Sequence, residues 1–126
     1  MTVMSKELTW FAGEVTRLAA VIGAPPGPLP TYGRTADFAR PHIEFGGAQW
    51  HYVVVERGEE LERNSSADAQ EILCCVFEGV TFSMACDDEL RHRRRGQDPR
   101  RQLFDVQLGL LGQLSPDWQR RTRARL

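Results

Sequence analysis

Residues 42–63, "HIEFGGAQWHYVVVERGEELER", constrain this chain more than any other stretch, because apolar and polar residues alternate there around two glycine-containing turns. The turns, "GG" at 46–47 and "RG" at 57–58, can both adopt the left-handed backbone of tight hairpins, so the alternation predicts a three-stranded antiparallel meander. Side chains alternate faces along a strand. A turn at 46–47 therefore groups Ile43 and Phe45 with Trp50, Tyr52 and Val54, and moving it by one residue leaves that grouping intact. A two-residue turn at 57–58 adds Leu61 to the same, core-facing set. The opposite face then carries His42, Glu44, His51, Val53, Val55, Glu60 and Glu62. Antiparallel sheets commonly leave one such face in water.

Helical patterns flank the meander. Ser5 can cap a first helix in which Leu8, Phe11, Ala12, Val15, Leu18, Ala19 and Ile22 recur at helical spacing, with Gly23 as its stop. The following "APPGPLPTYGR" reads as a rigid loop. Ser65 or Ser66 can cap a long second helix running to about Arg95, ended by Gly96. Asp98-Pro99 and Ser115-Pro116 have the cap-then-proline order that starts a third and a fourth. The fold expected is α+β: one domain over residues 1–126, a three-stranded antiparallel meander packed on a long helix, about four helices in all. Its 126 residues suit one core rather than two.

The second helix ends in "MACDDELRHRRRG", three acids followed by a basic run. Projected at 100° per residue, Leu73, Val76, Phe77, Val80 and Met84 form a stripe that Asp87 and Arg91 continue. Asp88–His92 and Glu89–Arg93 fall off the stripe and read as a solvated ladder of i,i+4 pairs. The inward projection of Asp87 and Arg91 implies a buried polar network, which Glu56 and Gln107 can reach and Arg100 can join. Such a network is first of all a structural lock, since a buried ion pair needs every hydrogen bond satisfied. The arginines at 93–95 suit the partial negative charge of a helix C-terminus.

Charge is divided along the chain. Residues 1–90 hold 14 acids against 6 bases, whereas residues 91–126 hold 10 arginines against 3 acids. The stretches "RHRRRGQDPRR" and "QRRTRARL" could bind phosphate, which makes nucleic-acid binding the alternative function. Lysine is nearly absent, aromatics are not interleaved, and the acidic remainder opposes approach to DNA or RNA, so nucleic acid is the lesser reading.

Catalysis finds little support. The sequence has no G-x-S-x-G, H-E-x-x-H, Walker or G-x-G-x-x-G motif. Cys74, Cys75 and Cys86 are odd in number and lack C-x-x-C spacing, which suits reduced, partly buried thiols rather than zinc or disulfides. His42, His51 and Glu44 could share one sheet face, but paired surface histidines are more often plain surface than a metal site. No catalytic residue, metal or cofactor is expected, and the chain is read as a non-enzyme. The N-terminus lacks the features of a signal peptide and no 18-residue apolar run occurs, so a cytoplasmic protein without a membrane partner is expected.

The stretches "WHYVVVERGEELER" at 50–63, "VFEGVTFSMACDDELRHRRRGQDPRRQLF" at 76–104 and "LPTYGRTADFARPHIEF" at 29–45 resemble the family-63 immunity proteins of bacterial polymorphic toxin systems. Glu56, Arg57, Glu62, Asp87, Glu89, Arg91 and His92 match the family pattern. Cys74 and Cys75 depart from it, where aromatics are usual, as does Asp88, where tyrosine is usual. The resemblance implies an intracellular, cofactor-free protein that binds a cognate toxin domain and blocks it. Many such toxins are nucleases with basic grooves, which an acidic surface would complement. The surface expected to meet the toxin is the wet sheet face, where Glu44, His51, Glu59, Glu60 and Glu62 rim Val53 and Val55.

Overall fold

A computed structural model of the chain describes residues 4–34, 39–93 and 95–126. Helix α1 (Lys6–Ile22) starts where Ser5 accepts a hydrogen bond from the Leu8 amide and stops at Gly23, whose φ of 66° is left-handed. Its buried residues are Leu8, Phe11, Val15, Leu18, Ala19 and Ile22. They form the stripe the sequence predicts, with Ala12 at its half-buried margin.

The sheet has four strands in the order β1 (Thr31–Tyr32), β2 (Pro41–Gly46), β3 (Gln49–Glu56) and β4 (Glu59–Ser66). Strands β2, β3 and β4 are the expected antiparallel meander, whereas β1 is an addition that pairs parallel to β2 from within the proline-rich stretch. Two residues are too short to carry a periodic signal. The α+β class holds.

Both hairpin turns use positive φ at both central residues, as two-residue turns matching the strand twist require. The first lies one residue further along than the sequence suggests, at Gly47 (62°) and Ala48 (59°); the second is Arg57 (54°) and Gly58 (74°). Phe45 pairs with Trp50 and Ile43 with Tyr52, so the pairs shift by one step but the core-facing set is unchanged. Trp50 packs its ring 5.1 Å from that of Phe11 and 4.6 Å from that of Phe45, joining α1 to the sheet.

The second hairpin departs from the expected register. Val55 pairs with Glu60 but Val54 pairs with Glu62, leaving Leu61 as the extra residue of a β-bulge. One added residue reverses the facing of everything beyond it. Leu61, expected in the core, is 56% exposed. Glu62, expected on the wet face, shares the inner face with Tyr52 and Val54, and Arg63 takes the outer position beside Val53.

Helix α2 (Ala69–Arg91) lies on that inner face, capped by Asp68 rather than Ser65 or Ser66 because β4 continues through Ser66. It is followed by α3 (Pro99–Leu114), capped by Asp98, and α4 (Pro116–Arg125), capped by Ser115, both in the predicted order. By length and composition α2 could also cross a membrane, contrary to the expectation that no such segment occurs. Here Ile72, Leu73, Val76, Phe77 and Val80 are core.

The charged end of α2 corrects the inward network. Asp87, Arg91, Glu56 and Arg100 are all exposed, and Gln107 alone of the five is buried. Along the last turns the buried positions are Thr81, Ala85 and Glu89, so the buried face rotates away from the mean stripe as α2 passes from the sheet onto α3. Glu89 is therefore the inward acid, 6% exposed, and Arg93 donates to it at 2.9 Å. Asp88 and His92 form the surface pair expected of them, at 3.2 Å. The helix closes at Arg91 rather than near Arg95, and Arg94 lies outside the described residues.

Candidate functional site

On the outer face the cross-strand rows are His42–Val53–Arg63 and Glu44–His51–Ser65. Arg63 reaches from β4 to Glu44 on β2 at 3.4 Å and holds Glu60 at 2.8 Å. Val53, its cross-strand neighbour on β3, is 1% exposed. The apolar centre expected of a binding patch is therefore buried at Val53, with Val55 half-buried. Burial pushes the Glu44 carboxyl upward, but His42 at 2.7 Å and Arg63 outweigh it and hold the pKa below the ordinary value. His51 is engaged on both ring nitrogens, by Ser65 Oγ at 2.6 Å and the Gly46 carbonyl oxygen at 3.2 Å. Among the described residues no group of three His, Cys, Asp or Glu side chains is placed to hold a metal ion.

Glu44 and Glu60 remain acidic positions of this face, and Glu59 lies at the hairpin tip in the row of Glu56. At the hairpin tip Glu56 and Glu59 stand directly opposite each other, both exposed. Like charges paired across strands destabilise a hairpin, so the tip concentrates negative charge at some cost to its own stability.

The inner side of β4 holds a feature the sequence patterns do not reveal. Glu62 and Asn64 of β4, Tyr52 of β3, Cys75, Glu78 and Phe82 of α2, Phe104 of α3 and the end of α4 line a groove with a cavity volume of about 500 Å³. Gly79 lets α2 come close: a β-carbon there would meet the Tyr52 hydroxyl at 3.3 Å. Burial, with the Glu62, Cys75 and Glu78 charges adding to it, pushes the Tyr52 hydroxyl up to about 12. Burial and Glu78 push Cys75 to about 11 and Cys74 to about 12, so these thiols stay protonated and poorly nucleophilic. Gln107, expected beside Asp87 and Arg91, instead donates to the Glu78 carbonyl oxygen at 3.1 Å.

Glu78 is the polar hub of the groove. Arg125 binds its carboxylate, Thr122 donates to Oε1 at 3.4 Å, and the Cys74 thiol donates to the same oxygen at 3.3 Å. One turn away Arg121 grips Glu71 through two hydrogen bonds of 3.0 and 2.7 Å. A carboxylate set mid-helix among apolar residues was the available sequence signal for this hub. Glu62 carried none, because the bulge that turns it inward has no signature in the alternation.

A family model described as immunity protein 63 matches residues 46–126, taking in the stretches of the resemblance at 50–63 and 76–104 and leaving out the one at 29–45. No curated protein and no solved structure matches the chain.

Proposed function

The chain belongs to the immunity protein 63 family, and on that premise we propose that it binds a cognate toxin domain directly and neutralises it, without catalysis or a cofactor of its own. The match over residues 46–126 is the observation that carries this reading. The protein acts in the cytoplasm, where a toxin delivered from a sibling cell, or made in the same one, must be stopped. Its contact surface includes the acidic rim of the meander, Glu44, Glu59 and Glu60, which suits a basic toxin groove and speeds encounter by charge complementarity.

Weighing against the nucleic-acid alternative, Arg121 and Arg125 are paired with Glu71 and Glu78 and Arg120 lies 3.5 Å from Asp117, which leaves the C-terminal arginines partly neutralised within the chain. The deciding experiment is co-expression with the variable C-terminal domain of a large secreted protein, whose gene is expected directly upstream. Rescue of growth together with a stable complex is expected. If the domain stays toxic and the two proteins do not associate, toxin neutralisation is wrong. Tight, salt-sensitive binding to DNA or RNA by the isolated chain would favour the alternative.

A further inference from the structure

Strand β4 is the sheet's long open margin. Among the described residues it pairs only with β3, and every residue from Glu59 to Ser65 is exposed. An open margin presents unpaired backbone N–H and C=O groups to any extended segment laid beside it. The other margin, β1, is two residues long and offers no comparable run.

Directly beneath β4 lies the groove. Its rim carries Glu62, and Phe82, a large apolar side chain that also lines it, is 47% exposed. The bulge connects the two features: by displacing Leu61 into solvent it turns the Glu62 carboxylate over the groove, near Tyr52 and Cys75. Bulges recur where a strand must re-aim a side chain.

We propose that the β4 margin and this groove together dock an extended, basic segment of the toxin as a fifth strand of the sheet. The inference rests on the toxin reading above and names the mode of contact. Backbone hydrogen bonds along β4 supply affinity, and alternate side chains of the added strand enter the groove, a basic one opposite Glu62 and an apolar one against Phe82. Charge selects the occupant. Residues 59–63 hold three acids and one arginine, with Glu56 beside them. A second copy of this chain would bring those acids against their own kind, whereas a basic strand neutralises them. Charges and bulges on open margins also prevent indiscriminate pairing, and here the same charges that repel a copy admit a basic partner.

The test uses the full chain and the toxin domain used for co-expression, with amide hydrogen exchange and titration as readouts. In the complex, amides of residues 59–66 are expected to exchange about tenfold or more slowly, with those of α1 unchanged. Glu62→Lys and Phe82→Asp, both at exposed side chains, are each expected to weaken binding about tenfold or more while the free chain melts as before. If the native chain binds but β4 stays unprotected and both variants bind normally, strand docking is wrong and the toxin reading stands. Absence of binding by the native chain overturns both. Protection of β4 that grows with the concentration of this chain alone overturns the basic-strand occupant in favour of a second copy.

Discussion

Helix α1 and strand β4 border the same sheet and are held to it by different physics. Helix α1 buries six side chains, with Phe11 wholly enclosed beside Trp50. Strand β4 buries none and is fixed by its ladder to β3 and the turn at Arg57-Gly58. An element anchored through its side chains has one possible facing. An element anchored through its backbone can absorb an extra residue and reverse its facing at little cost.

That contrast can be broken by measurement. Phe11→Ala removes a fully buried ring and should cost about 3–5 kcal/mol by chemical denaturation. The inner face beside β4 is the intermediate case. The Tyr52 hydroxyl is held at about 12 against 10.0 for the free group, and Cys75 at about 11 against 9.0. Groups raised in this way contribute stability in full below the unfolded pKa and lose it as pH climbs towards the folded one. Stability should therefore fall between about pH 9 and 12, Tyr52 accounting for on the order of 2 kcal/mol, and Tyr52→Phe should flatten the upper part of that fall. Arg57→Gly relieves a non-glycine residue at φ 54° and should stabilise by roughly 1 kcal/mol, visible as slower exchange in β4. At the small end, Leu61→Ala should change stability by no more than about 0.5 kcal/mol. A loss approaching that of Phe11→Ala would mean that β4 is anchored by packing after all.

What the sequence disclosed follows the same line. The α1 stripe, the caps Ser5, Asp98 and Ser115, and the grouping of Ile43 and Phe45 with Trp50, Tyr52 and Val54 were legible, because burial or cap chemistry leaves one solution there. The facing of Glu62 and Leu61 was not, because a bulge shifts the alternation without marking it. The end of α2 misled for another reason. A projection gives a helix's mean apolar direction, whereas α2 changes neighbour along its length and buries Glu89 in place of Asp87. The candidate patch was half legible: Glu44 and Glu60 lie on the outer face, while Val53 is buried and Arg63 joins that face from a position that the unbulged register assigns to the other one.

Helix α4 illustrates what an attachment made partly of charge implies. Trp118 and Thr122 are the buried residues among its ten, Trp118 stacking on Phe77 of α2 with ring centroids 6.1 Å apart, and the outer part of its grip on α2 runs through Arg121–Glu71 and Arg125–Glu78. Exposed ion pairs weaken as salt shortens the reach of charge to about 10 Å at 0.1 M and about 3 Å at 1 M. Thr122 and Arg125 form one wall of the groove. Ionic strength thus acts as a dial on that wall, loosening it while the apolar seam between α1 and the sheet tightens.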